Sequence, residues 1–347
     1  MAHIIALGCG LVGQFVIERL VERNHQVIVI DLNIPQQLIQ LELVDGREGD
    51  VFELLKSVPN NSTVVNMLPG RIGDKVRPHL LKNGHNVIDL AFTAEDPHQH
   101  QEIAKQHGAV LLWDVGIAPG MSNMLVRKAS NSLGHLENVS IKVGGNPAQP
   151  DQQWSYMAPF SPSDVIEEYT RPARIKLNGQ ILEVPALDER HFIEVEGYGQ
   201  MEAFLTDGLR SVLTTIPATT MKEFTVRWPG HIDKWIQESP HMDEQSMLDA
   251  WKFNPEREEF TWLEVIASSG TKTMRWIVED SGKDGNGSMA RTTGLVTAAC
   301  ALLFIEQGPW KGCGLKPGIH PPEALKETAI DSIIEMMVQH GVRFRFN

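Results

Sequence analysis

Short apolar runs alternate with amphipathic stretches through the first third of the chain. His3-Ile-Ile-Ala-Leu7 and Val27-Ile-Val-Ile-Asp31 carry almost unbroken apolar residues, the pattern of strands buried on both faces. The segment that joins them repeats apolar residues at helical spacing. Thr63-Val-Val-Asn66, Asn86-Val-Ile-Asp-Leu90 and Ala109-Val-Leu-Leu-Trp-Asp114 predict three further strands. Val51 to Lys56, Gly73 to Asn83 and Glu102 to His107 predict the helices among them. Strands alternating with helices predict an α/β fold with a doubly wound parallel sheet.

The pattern changes near Gly120. A helix is predicted over Met121 to Leu133, followed by period-two segments at Val139 to Val143, Ile175 to Gly179, His191 to Val195, Glu223 to Arg227, Trp262 to Ile266 and Thr273 to Ile277. With helices only at Asp164 to Tyr169 and Ile232 to Glu238, this run predicts a second α/β domain on a largely antiparallel or mixed sheet. Helical spacing returns at Thr297 to Glu306 and Pro321 to His340. The expected division is therefore a discontinuous first domain, residues 1–120 with 288–347, and a catalytic, substrate and oligomerisation domain at 121–287.

Charge narrows the partners. The chain has 31 basic and 44 acidic side chains among 347 residues, a net charge of −13, which argues against nucleic acid or an anionic membrane. No apolar run approaches the roughly 18 residues of a membrane span, and a strand so close to Met1 leaves no room for a leader. A cytoplasmic protein with a small-molecule partner is expected. Cys9, Cys300 and Cys313 are too scattered for a disulfide framework; only Cys313, between two glycines, is expected to be exposed.

The first turn carries the most specific chemistry. Gly8, Gly10 and Gly13 form GxGxxG between a strand and a helix. Gly8 permits the tight turn, Gly10 lets backbone approach a pyrophosphate, and Gly13 lets the helix pack on the sheet. Asp31 follows Gly13 by eighteen positions, where a carboxylate accepts hydrogen bonds from the adenosine ribose. It would repel a 2′-phosphate, and Leu32 and Asn33 offer no cation for one, so NAD is expected rather than NADP. Leu11 and Val12 in the turn, and Asp50, Leu68 and Pro69 after later strands, complete the expected cofactor set.

Other candidates are less local. Asp114 opens a glycine-containing loop, through Gly116 and Gly120 to Asn123, at the strand end where α/β folds bind ligands. Arg171 and Arg174 follow a predicted helix and suit a carboxylate, or equally the helix dipole. Thr206-Asp207 and Arg227-Trp-Pro-Gly-His231 offer groups suited to an amino acid, and His231 is the general-base candidate because imidazole titrates near neutrality; a solvated turn histidine is the alternative. His98 and His100 lie two apart on a polar helix and face different ways, and Asp280 to Ser288 lacks a calcium loop's glutamate. No metal is expected.

Over nearly its whole length the sequence resembles the saccharopine dehydrogenase-like family, most closely the lysine 6-dehydrogenase branch. The glycine turn, DVGIAPGMSN, FSPSDVIEEYTRPAR, TDGLRS, RWPGH, SMARTTG and Gly318-Ile-His-Pro-Pro-Glu323 carry that resemblance. Saccharopine-using reductases have GLDPG where this chain has Gly116-Ile-Ala-Pro-Gly120, with Ala118 in place of an aspartate associated with catalysis. The resemblance implies a Rossmann domain, a homodimer or higher homo-oligomer, and NAD-dependent oxidative deamination of a lysine side-chain amine to the semialdehyde with release of ammonia. It makes Asp114 and His231 the acid/base candidates, places Arg171 and Arg174 on the substrate carboxylate, and adds Tyr156, Thr206 and Asp207 to the pocket. A saccharopine- or carboxynorspermidine-type enzyme acting on a secondary amine, and a non-catalytic NAD-binding regulator, are the alternatives.

Overall fold

Ile4–Leu7 and Thr63–Asn66 are buried along their whole length, as is Val27–Asp31 but for its last residue, which is what helices covering both faces of a parallel sheet require. The structure is a computed structural model and describes residues 4–347; His3, which opens the first predicted strand, lies outside the described residues. Two compact units divide the chain. The first takes the chain up to Gly116 together with Thr293–His340, and the second takes Ile117–Thr292 with Gly341–Asn347.

In the first unit β1 (Ile4–Leu7), β2 (Val27–Asp31), β3 (Val44–Glu48), β4 (Thr63–Asn66), β5 (Asn86–Asp89) and β6 (Val110–Leu112) join Gly318–His320 in a seven-stranded parallel sheet. The order is β3-β2-β1-β4-β5-β6 and then Gly318–His320. Chain growth reverses at β1, whose neighbours are β2 and β4, and sheets of this kind bind ligands at the carboxyl ends beside such a switch point. Ile5, Leu7, Val64, Val87 and Leu111 build the core on which helix Gly70–Lys82 packs Val76, Leu80 and Leu81. β3 was not expected: Val44-Asp-Gly-Arg-Glu48 has no apolar alternation. It forms because an edge strand can keep polar side chains in solvent while pairing its backbone.

The second unit is built from β7 (Leu136–Pro147), β8 (Ala173–Leu177), β9 (Gln180–Val184), β10 (His191–Val195), β11 (Gly199–Leu205), β12 (Ala218–Arg227), β13 (Glu259–Ser269) and β14 (Lys272–Asp280). The order is β10-β11-β12-β7-β13-β14, ending on Arg343–Phe346, with β8 on β12 and β9 on β8. Only β12 and β7 run parallel; the other pairs are antiparallel, so the sheet is mixed as the period-two segments predict. β9 and β11 escape that reading, since β9 is exposed over four of its residues and β11 has no strict alternation. Residues 343–346, assigned by sequence to the first domain with all of 288–347, pair instead with β14 in the second unit.

Two further expectations need correction. Helix Ser288–Gln307 is long and apolar enough to cross a membrane by length and composition, but 83% of that window is buried inside the protein. Leu295, Val296, Ala298 and Cys300 have no exposed surface, so its composition is that of a core helix. Cys313 is fully buried rather than exposed, because Pro309–Cys313 winds into a π-helical turn that faces it inward.

Candidate functional site

The turn after β1 has the shape its glycines demand. Gly8 sits at φ +90°, and a Cβ there would lie 2.9 Å from the Met67 carbonyl oxygen. A Cβ on Gly13 would lie 2.5 Å from the Gly8 carbonyl oxygen, whereas one on Gly10 would meet nothing within 4 Å. The turn is thus closed on the protein side and open on the other. Helix Leu11–Glu22 has no side-chain cap and no acidic residue in its first turn, so its N-terminal N–H groups, from Leu11, Val12 and Gly13, suit an anion. Pro69 precedes helix Gly70–Lys82 as its N-cap, and the Leu68 N–H lies 3.5 Å from Asn66 Oδ1.

Asp31 ends β2 beside this turn. Its Oδ2 accepts the Cys9 backbone N–H at 2.7 Å and the Cys9 thiol at 3.3 Å, while Oδ1 accepts the Asn33 N–H at 3.2 Å. Burial, reinforced by the Asp31 charge, pushes the Cys9 thiol up to about 12, which keeps it a neutral donor. Cys9 therefore helps orient the carboxylate. Asp50 serves locally: it caps helix Val51–Leu54 through the Phe52 and Glu53 N–H groups, at 2.9 and 3.2 Å. The open turn and the uncapped helix N-terminus suit the phosphates of a dinucleotide, with the Asp31 carboxylate beside them.

Asp114 belongs to the first unit and has the left-handed φ of +54°. It is buried, and its charge acts on Arg77. The fully buried Arg77 donates to Asp89 at 2.9 Å, to Asp74 at 3.1 Å and to Thr93 at 2.9 Å. Burial opposes its charge, but Asp89 and the other carboxylates outweigh that and hold it firmly protonated. Downstream, Gly120 donates its N–H to Asn123 Oδ1 at 3.2 Å, and Asn123 donates to Ser211 Oγ at 3.1 Å, so the Asn123 side chain folds back on the start of its helix.

The second unit holds a buried polar cluster inside an aromatic shell. Nε2 of His231 accepts the Tyr169 hydroxyl at 3.0 Å, and Nδ1 donates to the Trp154 carbonyl at 2.9 Å. The Tyr169 oxygen in turn accepts Arg227 Nε at 2.7 Å. Arg227 also donates to the Val226 carbonyl at 3.0 Å, pairs with Glu168 at 3.5 Å and stacks on the Tyr156 ring, 4.6 Å from its centroid. Trp154, Trp235 and Trp251 close the shell around Tyr169 and His231. Burial, with the Arg227 charge behind it, pushes His231 down to about 3. The expected titration near neutrality is therefore corrected: His231 is a neutral, doubly engaged ring. The Tyr156 hydroxyl is buried, and burial raises both phenols above their usual range.

The remaining candidates already have partners within the protein. Arg174 grips Asp207 in a bidentate pair, Nε to Oδ1 and Nη2 to Oδ2 both at 2.8 Å, and its backbone N–H adds a third bond. The cation expected for a substrate carboxylate thus has its charge met by another pocket candidate. Arg171 pairs with Glu167 one helical turn back, at 2.6 Å. Thr206 bonds Glu223 at 2.6 Å and Thr225 at 2.8 Å. Tyr156 and His231 are brought together, their ring centroids 5.0 Å apart. Sequence reasoning missed Tyr169, Glu168, Glu223 and Thr225; the first two lie within FSPSDVIEEYTRPAR, whose unusual composition was the available signal.

Comparison with known proteins agrees with this architecture. The family model described as saccharopine dehydrogenase C-terminal domain matches residues 116–342. The solved apo saccharopine dehydrogenase (L-Glu forming) from Saccharomyces cerevisiae superposes with a TM-score of 0.78, at 16% identity over 100% of both chains; at that identity it shows the fold. A curated alpha-aminoadipic semialdehyde synthase from Arabidopsis thaliana is 25% identical over 143 residues, 39% of this chain and 13% of the relative. A saccharopine dehydrogenase [NADP(+), L-glutamate-forming] from Schizosaccharomyces pombe is 21% identical over 206 residues, 54% of this chain and 45% of the relative. The chain matches less than half the length of either. With the family model covering well over half of the chain, residues 116–342 of 347, the chain belongs to the saccharopine dehydrogenase-like family.

Proposed function

We propose that this protein is an NAD-dependent dehydrogenase that oxidises the side-chain amine of L-lysine, or of a similar amino acid, to the semialdehyde and releases ammonia. The observation that carries the cofactor half is the open, uncapped glycine turn beside Asp31. One curated relative is named for NADP(+), but Asp31, held by Cys9 and Asn33, offers a 2′-phosphate only a negative charge. When bound, the nicotinamide accepts a hydride from the carbon that bears the amine.

The chain's own residues supply binding and proton handling. Gly8, Gly10, Gly13 and the following helix N-terminus hold the pyrophosphate, with Leu11, Val12, Leu68 and Pro69 around it. Asp114 is the carboxylate proposed to take the ammonium proton, since His231 has both ring nitrogens engaged, by the Tyr169 hydroxyl and the Trp154 carbonyl. His231 instead orients Tyr169 and, through it, Arg227. Arg227, Tyr156 and the Arg174–Asp207 pair are the groups proposed to recognise the amino acid. We further propose a cytoplasmic homodimer or higher homo-oligomer.

The specificity for a primary amine rests on Ala118 in the Gly116–Gly120 loop, in place of the aspartate of saccharopine-using enzymes. The names of the relatives favour the second reading, oxidation of a secondary amine. A panel of lysine, ornithine and saccharopine with NAD and with NADP, reading NADH and ammonia together, separates them. Equal NADH and ammonia from lysine is the expected result. Reduction with saccharopine but not lysine, without ammonia, would establish the second reading, and NAD binding with no turnover on any amine would make the protein a regulator.

A further inference from the structure

A chain of four oxygen-bearing side chains lies within the second unit, behind the Arg227 cluster. Glu223 Oε2 contacts the Thr206 hydroxyl at 2.6 Å, that hydroxyl contacts the Thr225 hydroxyl at 2.8 Å, and Thr225 bonds Glu168 Oε1. Three oxygen-to-oxygen contacts need three hydrogens. The two threonines supply only one each, so one carboxyl of the pair must carry a proton; with both ionised, a buried contact would face two lone pairs, at the cost of an unsatisfied group.

The surroundings decide which carboxyl holds it. Glu223 is almost fully buried, and the Gly208 N–H at 3.0 Å is its other hydrogen-bond partner among the described residues. The charges that act on it are Glu168 and Asp207, both negative, and Asp207 is itself tied to Arg174. Lys176, on the neighbouring β8, points its ammonium toward the Ile216 carbonyl. Glu168 is the less buried end and faces Arg227 at 3.5 Å, and that guanidinium also contacts Tyr169 and the Tyr156 ring. Burial and the like charges of Glu168 and Asp207 favour a proton on Glu223, whereas Glu168 has the Arg227 guanidinium beside it. Burial pushes Glu223 up to about 8, against the lowering effect of its Thr206 bond.

We propose that Glu223, Thr206, Thr225 and Glu168 form a proton relay that stores one proton on Glu223 and delivers it to Glu168. At rest each donor points one way: Glu223 to Thr206, Thr206 to Thr225, Thr225 to Glu168. In delivery the Glu223 O–H bond breaks as an O–H bond forms on Thr206; Thr206 passes its own proton to Thr225, and Thr225 passes its proton to Glu168. One proton moves from Glu223 to Glu168 and one negative charge moves back, with no other change. On the amine-oxidation reading proposed above, on which this role in turnover rests, the relay supplies protons beside Arg227 and Tyr169. The relay itself requires no substrate.

Its test is a pH titration of the intact protein, following the protonated-carboxyl infrared band, which needs no turnover and so stands or falls apart from the enzymatic assignment. The band is expected at pH 6.5 and absent from Glu223→Gln. Thr225→Val frees the Thr206 hydroxyl to donate to an ionised Glu223, so the band's midpoint is expected to fall by about one pH unit, a tenfold loss of proton affinity. Thr206→Val removes the donor to ionised Glu223 and is expected not to lower the midpoint, while Thr225→Ser restores the wild-type value and reports intact folding. A structural role alone would make both valine substitutions raise the midpoint through lost polarity. That outcome, an unchanged midpoint in Thr225→Val, or no protonated band in the wild type would overturn the proposal.

Discussion

Tyr169 donates its phenolic proton to Nε2 of His231 across 3.0 Å, and the same oxygen accepts Arg227 Nε at 2.7 Å. The phenol therefore joins a neutral imidazole to a buried cation and cannot be removed from one without affecting the other. Tyr169→Phe keeps the ring but strands an imidazole nitrogen and a guanidinium N–H. Loss of about 2–4 kcal/mol in unfolding free energy is expected, from two orphaned groups at about 1–2 kcal/mol each. Urea denaturation measures it. A loss below about 0.5 kcal/mol would mean that water replaces the phenol, and that the cluster is more open than its burial indicates.

Stability should fall as pH rises from 6.5 to 8. Glu223 has its folded value raised to about 8, against a usual carboxyl value near ~4.3 unfolded. Its stabilisation is complete below the unfolded value and is lost as pH rises toward 8, because the folded state holds the proton that the unfolded state has released. His231 acts oppositely: its folded value is lowered to about 3, so stability is lost as pH falls below about 6.5, where the unfolded imidazole charges. Between pH 4.5 and 6.5 the two slopes oppose each other, which leaves the window from 6.5 to 8 to Glu223. A decline of roughly 1 kcal/mol per pH unit is expected there, and Glu223→Gln should flatten it. An equal slope in the variant would assign the dependence to other groups.

The first βαβ unit was legible because its logic is local. The turn, its helix and Asp31 fall within one short stretch, and each glycine answers a backbone demand that only a few residues meet. The second unit's cluster was not, because its contacts span 62 positions for Tyr169 with His231 and 58 for Tyr169 with Arg227. Nothing in the spacing tells which of several polar turns meet. Arg174 and Asp207 show the same limit more sharply: both were singled out for a ligand, and 33 positions apart they bind each other. Burial also reverses ordinary chemistry. A histidine in a polar turn reads as a neutral-pH base, yet its imidazole ends in an aromatic shell where protonation is strongly opposed.

Asp31 offers a separable test of cofactor choice. Asp31→Ala removes the ribose acceptor and also the partner of the Cys9 N–H, so NAD affinity should fall about tenfold to a hundredfold, the value of a charge-assisted hydrogen bond. Discrimination against NADP should shrink with it, since the repulsive charge is gone. Cys9→Ala keeps the backbone N–H to Asp31 and loses only the thiol contact at 3.3 Å, so a change within about threefold is expected, as for a weak donor. Fluorescence titration with both dinucleotides measures these values. Tighter NADP than NAD binding by the wild type would contradict the role given to Asp31.

The Arg174–Asp207 pair should respond asymmetrically to truncation. Asp207 is buried, with only 4% of its side chain exposed, whereas Arg174 is 40% exposed. Arg174→Ala leaves a buried carboxylate without its bidentate partner, and about 1–3 kcal/mol of stability should be lost once solvent screening at the arginine is allowed for. Asp207→Ala leaves a cation that can turn to water, and should cost under about 1 kcal/mol. Arg174→Lys tests geometry apart from charge, because an ammonium cannot make both parallel bonds. If the pair also recognises the amino acid, Arg174→Lys should raise KM for lysine about tenfold with kcat little changed, the mark of binding shared equally by ground and transition states. A fall in stability with KM unmoved would assign the pair to the fold alone and leave substrate recognition to Arg227 and Tyr156.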